Sequence, residues 1–259
     1  MHYLREKIAA RSLFAFYICF VGLLTRMPAH AGVVIDGTRQ IYPAQSREIT
    51  IKLTNADKNL PRLVKVWLAD GDGNTTAEQS DVPFTITPPV FRMEPDQTQS
   101  LRVVYAKEPL PTDRESLFWL NVLEMPPDVH SGEDTNRLRF AFRIRSKLFF
   151  RPEGLAGRSE DAPAQLIWSL VKASQGRLLE VRNPSPYYVS FQSVALLTGD
   201  EDGARTIQSD QYEMVAPGGT QQFLLREAVG VASDRAQVEF SVVSDFGAFS
   251  APIRAPLLL

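Results

Sequence analysis

Residues 137–147 read Arg-Leu-Arg-Phe-Ala-Phe-Arg-Ile-Arg-Ser-Lys, a stretch in which apolar and basic side chains alternate. On a β-strand the apolar set would share one face and the basic set the other. The apolar set is Leu138, Phe140, Phe142 and Ile144, and the basic set is Arg139, Arg143, Arg145 and Lys147. A half-buried strand with a solvated basic face is the simpler interpretation. A long strand can also be a template for another chain, with its charges limiting self-pairing, and the residues alone leave this second interpretation open.

The same period of two recurs along the rest of the chain. Before residue 137 it occurs at 49–53, 64–68, 101–105 and 118–122, and after residue 165 it occurs at 166–171, 178–181, 187–197, 222–225 and 237–243. Turn-forming clusters at 70–74, 87–89 and 125–127 separate the first group. No stretch keeps a 3.6-residue apolar period for three turns, so the sequence predicts an all-β protein.

A polar segment of small residues at 156–163 divides the strands into two groups. The groups cover roughly 120 and 100 residues, a size that fits one immunoglobulin-like β-sandwich each. We therefore expect an N-terminal domain at 32–154 and a C-terminal domain at 155–259.

The first 31 residues have the three parts of a secretory signal. A basic start at 5–11 precedes an uncharged apolar run at 13–24, and Ala29 and Ala31 have the small-x-small spacing of a signal-peptidase site. A membrane anchor is the less favoured alternative, because a span takes roughly 20 apolar residues. Cleavage after Ala31 would leave a chain that is not inserted in a membrane and that lies outside the cytoplasm.

The composition of the cleaved chain excludes several kinds of site. Cys19 lies in the signal, so no cysteine remains, and His130 is the only remaining histidine. Structural zinc, cysteine catalysis and a disulfide scaffold are therefore not expected. Cleavage removes four of the 28 basic and one of the 30 acidic residues, which leaves a net charge of −5. This balance argues against nucleic acid as a partner.

The sequence contains no recognisable catalytic or cofactor motif. His130 lies in a polar segment that reads as a loop, where a catalytic histidine is not expected. Asp70, Asp72 and Asn74 are spaced like the start of a calcium loop, but the glycine and glutamate that complete such a loop are missing. We therefore expect no enzyme activity, no metal and no cofactor.

Six segments resemble, in family order, the PapD-like periplasmic chaperones of the chaperone–usher pilus pathway. They are IDGTR (35–39), TPPVFRMEP (87–95), RESLFWLNVLEMPP (114–127), KLFFRP (147–152), NPSPYYV (183–189) and SDFGA (244–248). The resemblance implies two immunoglobulin-like β-sandwich domains arranged in an L with a cleft between them. It also implies a periplasmic chaperone that lends a strand to pilus subunits and delivers them to an outer-membrane usher.

The resemblance assigns the lent strand to residues 137–147, with the apolar set filling the groove of a subunit. It assigns Arg39 and Lys147 to the anchor that holds the C-terminal carboxylate of the subunit. Gly37 departs from the family pattern, because a basic residue is common at that position.

Two further groups of residues match family positions. Glu115, Arg151 and Asp245 match an interdomain charge network. The face that docks on the usher is matched by Pro61, Leu63, Thr87, Arg102 and Met125. The competing interpretation of the chain is a secreted β-sandwich adhesin or ligand-binding module, and an extracytoplasmic hydrolase is disfavoured because the sequence lacks a nucleophile–base pair.

Overall fold

The computed structural model describes residues 32–71, 75–127, 138, 140–173, 176–198, 205–209, 213–225 and 236–258. The described chain consists of seventeen β-strands and one 3₁₀ helix at Ser159–Gln165. The predicted signal peptide (1–31) and His130 lie outside the described residues. None of the described helical structure is long and apolar enough to cross a membrane.

The first domain is a sandwich of two sheets. The four-stranded sheet has the order β1 (Val33–Ile35), β3 (Ile49–Asn55), β7 (Thr98–Tyr105) and β5 (Phe84–Thr87). The five-stranded sheet has the order β2 (Arg39–Pro43), β9 (Phe142–Arg151), β8 (Ser116–Met125), β4 (Arg62–Ala69) and β6 (Val90–Met93). Alternate side chains of both sheets point inward and form one apolar core.

The chain changes sheets at its first turn. β1 pairs antiparallel with β3, whereas β2 pairs in parallel with β9 in the other sheet. Between them, Gly37 has a φ of 82°, a left-handed conformation that glycine adopts without steric cost. The glycine that departs from the family pattern thus permits the turn that leads directly into Arg39.

Aromatic rings fill the centre of the first core. Tyr42 is fully buried and contacts the edge of Phe84, with ring centres 5.4 Å apart. Phe84 in turn lies 4.9 Å from Phe118, and Tyr105 lies 4.6 Å from Phe150. Because Tyr42 and Phe150 belong to β2 and β9, this cluster fixes the position of that parallel strand pair.

The second domain is also a sandwich, with its strands joined into one continuous sheet. The strands are β10 (Ile167–Ala173), β11 (Gly176–Arg182), β12 (Val189–Thr198), β13 (Arg205–Gln208), β14 (Met214–Val215), β15 (Thr220–Leu224), β16 (Gln237–Val242) and β17 (Ile253–Leu258). β17 connects the two layers, because it pairs antiparallel with β16 and in parallel with β10. Trp168 occupies the core, with its ring centre 5.1 Å from that of Phe240.

The bounds predicted for the strand at 137–147 were wrong at both ends, since β9 runs from Phe142 to Arg151. Its neighbour β8 ends at Met125, and Pro126 and Pro127 follow. Proline has no backbone N–H to continue the ladder, so the pairing stops near Phe142 although the alternation of side chains continues before it.

Candidate functional site

One edge of β9 is only partly covered. β8 pairs with β9 from Phe142 to Phe150, but on the opposite side β2 pairs only from Lys147 to Arg151. Within the described chain, no strand lies against the β2 side of residues 142–146. The backbone groups of this segment are therefore available to another strand.

Exposed apolar side chains accompany this open edge. Leu138 is 86% exposed, Phe140 61% and Phe142 57%. The rings of Phe140 and Phe142 lie 6.5 Å apart, so the two form one aromatic surface. Ile144 differs from the other three, because it is partly buried against the core of the first domain.

The basic side of β9 is solvated only in part, since Arg143 is exposed whereas Arg145 and Lys147 are partly buried. The Arg143 guanidinium lies 4.7 Å from the ring centre of Trp67 and donates a 2.8 Å hydrogen bond to Asn121 Oδ1. The Arg145 guanidinium lies 4.2 Å from the ring centre of Trp119. These cation–π contacts hold the arginines flat on the outside of the sheet and brace β9 against its neighbours. Arg139 lies outside the described residues.

Arg39 and Lys147 are brought together where the open edge ends. They are directly opposed across the parallel pair of β2 and β9. Each also reaches the second domain: Arg39 Nη1 donates to the Val243 carbonyl at 3.1 Å, and Lys147 Nζ donates to Ser190 Oγ at 3.2 Å. The two cations therefore lie side by side at the junction of the domains.

Both cations are partly desolvated. Burial, reinforced by the nearby charge of Arg39, lowers the pKa of Lys147 to about 8, although Glu213 opposes the shift. Burial likewise lowers the pKa of Arg39, whose Nε has no hydrogen-bond partner among the described residues. Neither cation forms an ion pair within the described chain, so the pair is suited to a carboxylate ligand.

A charge network ties the two domains together beside this pair. Arg151 makes a bidentate contact with Asp245, at 2.7 and 3.0 Å, and its Nε donates to Glu115 Oε1 at 2.7 Å. Glu115 Oε2 accepts a 2.8 Å hydrogen bond from the backbone of Tyr188. The three residues that the resemblance grouped thus form one network centred on Arg151, in which Glu115 and Arg151 belong to the first domain and Asp245 to the second.

The two carboxylates of the network have different environments. Burial raises the pKa of Glu115, and the attraction of Arg151 offsets this only in part. Burial would also raise the pKa of Asp245, but the hydrogen bonds and charge of Arg151 outweigh it and hold that pKa below its ordinary value. Asp245 therefore remains the firmly ionised partner of Arg151.

The partners from the second domain were missed by the sequence analysis. Val243 and Tyr188 contribute backbone groups, which leave no signal in a sequence, and Ser190 is one serine among many. Gly247 does carry a signal, within the SDFGA segment. A Cβ on it would lie 2.5 Å from Thr38 Oγ1, so glycine allows the loop of Asp245 to approach the first domain closely.

The five residues assigned to the usher-docking face form two groups rather than one. Leu63 and Met125 are direct neighbours on β4 and β8, and Pro61 precedes β4. Thr87 and Arg102 are neighbours on β5 and β7, in the other sheet. Only residues 88 and 89 separate β5 from β6, so one surface containing both groups would wrap around that edge of the sandwich.

The exposed side of β6 was also missed by the sequence analysis. Arg92 lies opposite Leu63 across the β4–β6 pair, and its side chain is 62% exposed. Val90 on the same strand is 51% exposed. The alternation of Val-Phe-Arg-Met at 90–93 could have indicated this outward pair.

Both domains match family models. The model described as the pili and flagellar-assembly chaperone, PapD N-terminal domain, matches residues 32–156, and the model for the PapD C-terminal domain matches residues 161–253. The probable fimbrial chaperone YadV of Escherichia coli K12 is 39% identical over 235 residues, covering 89% of this chain and 92% of the relative. The chaperone protein FimB/FhaD of Bordetella pertussis is 38% identical, covering 85% and 86%.

Solved structures are similar over the same range. The crystal structure of the YadV chaperone has a TM-score of 0.71 at 37% identity and covers 87% of this chain and all of that one. The SafB chaperone of Salmonella enterica, solved in complex with the SafA pilin, has a TM-score of 0.70 at 30% identity and covers 89% and 99%. The likeness thus spans both domains.

Proposed function

We propose, because this chain belongs to the PapD family of pilus-assembly chaperones, that it binds and stabilises pilus subunits by adding a strand to them. The observation that carries the proposal is the open edge of β9 beside the exposed side chains of Leu138, Phe140 and Phe142. A partner that completes this edge obtains both backbone hydrogen bonds and apolar contacts.

The stabilisation of a subunit follows from the energetics of an incomplete sandwich. A sandwich that lacks one strand leaves a groove of apolar side chains and a row of unpaired backbone groups. Each buried unpaired polar group costs roughly 1–3 kcal/mol, so such a subunit is unstable alone. The backbone of residues 142–146 would supply the missing strand hydrogen bonds, and the exposed side chains of Leu138, Phe140 and Phe142 would fill the groove. The chemistry of this function is binding, and no reaction is involved.

Arg39 and Lys147 serve in this proposal as the anchor for the C-terminal carboxylate of the subunit. Two cations on one carboxylate form charge-assisted hydrogen bonds, which are stronger than neutral ones. The anchor also sets the register, because a slip of one residue would turn every side chain of the added strand to the wrong face. The half-buried setting of both cations strengthens the attraction.

The network of Glu115, Arg151 and Asp245 would fix the orientation of the second domain relative to the first. Buried charges are costly to desolvate, so specificity of arrangement is a better account of this network than added stability. A fixed orientation keeps Ser190 and Val243 in place beside the anchor.

Delivery to an outer-membrane usher and residence in the periplasm complete the proposal. Cleavage of the signal after Ala31 would release the chain on the far side of the inner membrane. The patch of exposed Leu63 and Arg92 with partly buried Met125 lies on the outer face of the five-stranded sheet, and we assign the first contact with the usher to it. Thr87 and Arg102 would extend this contact around the β5–β6 edge.

The test is co-expression of the full chain with a fimbrial subunit from the same organism, followed by recovery of the subunit from the periplasm. Arg39→Ala and Lys147→Met should leave the melting temperature of the chaperone nearly unchanged and reduce subunit recovery at least tenfold. Lys52→Met, which removes an exposed cation on β3, is the matched control and should recover subunit normally. Leu63→Ser should bind subunit but reduce surface pili.

Normal subunit recovery with both anchor variants would refute the anchor. A chaperone that resides on the cell surface and never co-purifies with a subunit would instead support the adhesin interpretation.

A further inference from the structure

Glu124 is a carboxylate that strand addition does not use. It lies on β8 with its side chain on the inward face, only 4% exposed, opposite the fully buried Val64. Among the described residues, its one hydrogen bond comes from the backbone N–H of Val33, at 2.5 Å. In the described part of the chain, no lysine, arginine or histidine forms an ion pair with it. A carboxylate so placed is costly unless a cation compensates it.

Gly32 lies directly against this carboxylate. A Cβ on Gly32 would lie 2.5 Å from Glu124 Cδ and nearer still to both carboxylate oxygens, so a larger residue here would require the Glu124 side chain to move. The Gly32 carbonyl is held in place from the other side, because it accepts a 3.0 Å hydrogen bond from Ala56 N–H. The Gly32 nitrogen is bonded to the same Cα, and it therefore lies within about 5 Å of Glu124 Oε1.

We propose that Glu124 is the binding site for the α-ammonium group of Gly32, which signal-peptide cleavage creates. The inference rests on the proposed cleavage site after Ala31. In the precursor, the Gly32 nitrogen belongs to a neutral amide. Hydrolysis of the Ala31–Gly32 bond by signal peptidase adds one water molecule, leaves a carboxylate on Ala31 and gives the Gly32 nitrogen the protons of an ammonium group. A primary cation then appears within reach of the buried carboxylate.

The ion pair would couple export to the stability of the first domain. Val33 begins β1, and β1 completes the edge of the four-stranded sheet next to β3. Fixing Gly32 on Glu124 therefore adds an ionic tie between the end of that edge strand and β8, beside the hydrogen bond that Val33 N–H already donates to Glu124. The precursor lacks this tie, so the first domain gains it only after the signal has been removed.

The experiment measures the reactivity of the amine and contains no subunit. Chaperone purified from the periplasm is first weighed by intact mass spectrometry, which should show a chain that begins at Gly32. It is then treated at neutral pH with an N-hydroxysuccinimide ester, and acetylation of Gly32 is followed against that of the exposed Lys58. The Gly32 amine should react at least tenfold more slowly in the wild type than in Glu124→Gln, because only a deprotonated and accessible amine is nucleophilic.

A second comparison uses only the wild-type protein, so it does not depend on whether Glu124→Gln folds. The wild-type Gly32 amine should become at least tenfold more reactive, relative to Lys58, when the protein is unfolded in urea. Equal Gly32 reactivity in wild type, Glu124→Gln and urea, or a chain that begins elsewhere, would overturn the proposal. Failure of subunit binding would leave these rates unchanged, so the two proposals fail separately.

Discussion

At the scale of single residues, the proposed anchor depends on holding two like charges close together before a ligand arrives. Arg39 and Lys147 could be assigned to the anchor only by family resemblance, because in the sequence alone each looks like an ordinary surface cation. Their partial burial and their contacts to Val243 and Ser190 arise from the second domain, which is more than 40 residues distant in the chain. No local pattern encodes such a contact.

The lowered pKa of Lys147 predicts that subunit binding weakens above pH 8. Free Lys147 loses its proton near pH 8, whereas a bound carboxylate requires the charged form, so binding takes up a proton above that pH. The affinity should fall by up to about tenfold per pH unit between pH 8 and 10. Dissociation constants measured from pH 7 to 10 test this. Lys147→Arg, which keeps its charge throughout, should remove the slope, and an unchanged slope would contradict the assignment.

The lowered pKa of Lys147 affects the stability of the free chaperone in the opposite direction from its affinity for a subunit. Between pH 8 and the ordinary lysine value near 10.4, the unfolded chain binds more protons at this residue than the folded chain does. The contribution of Lys147 to the free energy of unfolding therefore rises with pH in that window.

At the scale of elements, β9 combines the roles of a core strand and an interaction strand. Leu148 and Phe150 are buried in the first core, whereas Phe142 is 57% exposed at the other end of the same strand. The alternation of apolar residues from 138 to 144 could be predicted, but the beginning of the strand could not. It depends on Pro126 and Pro127, which end the neighbouring strand β8 and lie more than ten residues away in sequence.

Replacing Phe140 and Phe142 with serine should separate binding from folding. Burial of each ring in a subunit groove contributes roughly 1.5–3 kcal/mol, so the double variant should lose about two to four orders of magnitude in affinity. Its melting temperature should hardly change, because both rings are exposed in the free protein. A thermal melt beside a subunit-capture assay tests this, with Leu258→Ser, an exposed apolar residue on β17, as the control. A double variant that unfolds would identify these rings as part of the core.

At the scale of the whole molecule, the two sandwiches could be predicted from the strand pattern and the polar segment after residue 155. The contact between the two sandwiches could not be predicted from that pattern. It depends on Arg151 with its two acidic partners and on the close approach of the domains that Gly247 allows. The charged residues of this contact could be identified by family resemblance, whereas the backbone groups of the second domain that bind to the first could not.

Asp245→Asn should loosen the arrangement of the domains while each domain stays folded. The variant keeps the size of the side chain but leaves Arg151 with Glu115 as its only carboxylate. Because Arg151 and Asp245 are partly exposed, we expect a loss of only about 1–2 kcal/mol. Small-angle X-ray scattering should show a broader distribution of interatomic distances. Glu239→Gln, which breaks an ion pair with Arg254 inside the second domain, should leave the scattering unchanged.

The point at which β2 begins to pair with β9 also sets the length of the open edge. Five residues of β9, 142–146, lie open before β2 takes over the edge at Lys147. At about 3.3 Å per residue they measure roughly 17 Å. In the proposed function, a guest strand that advances along this open edge would reach Arg39 and stop there, because β2 already pairs with the remaining positions of β9. The open edge would therefore act as a gauge with a stop at one end, which accepts the terminus of a polypeptide and excludes an internal segment.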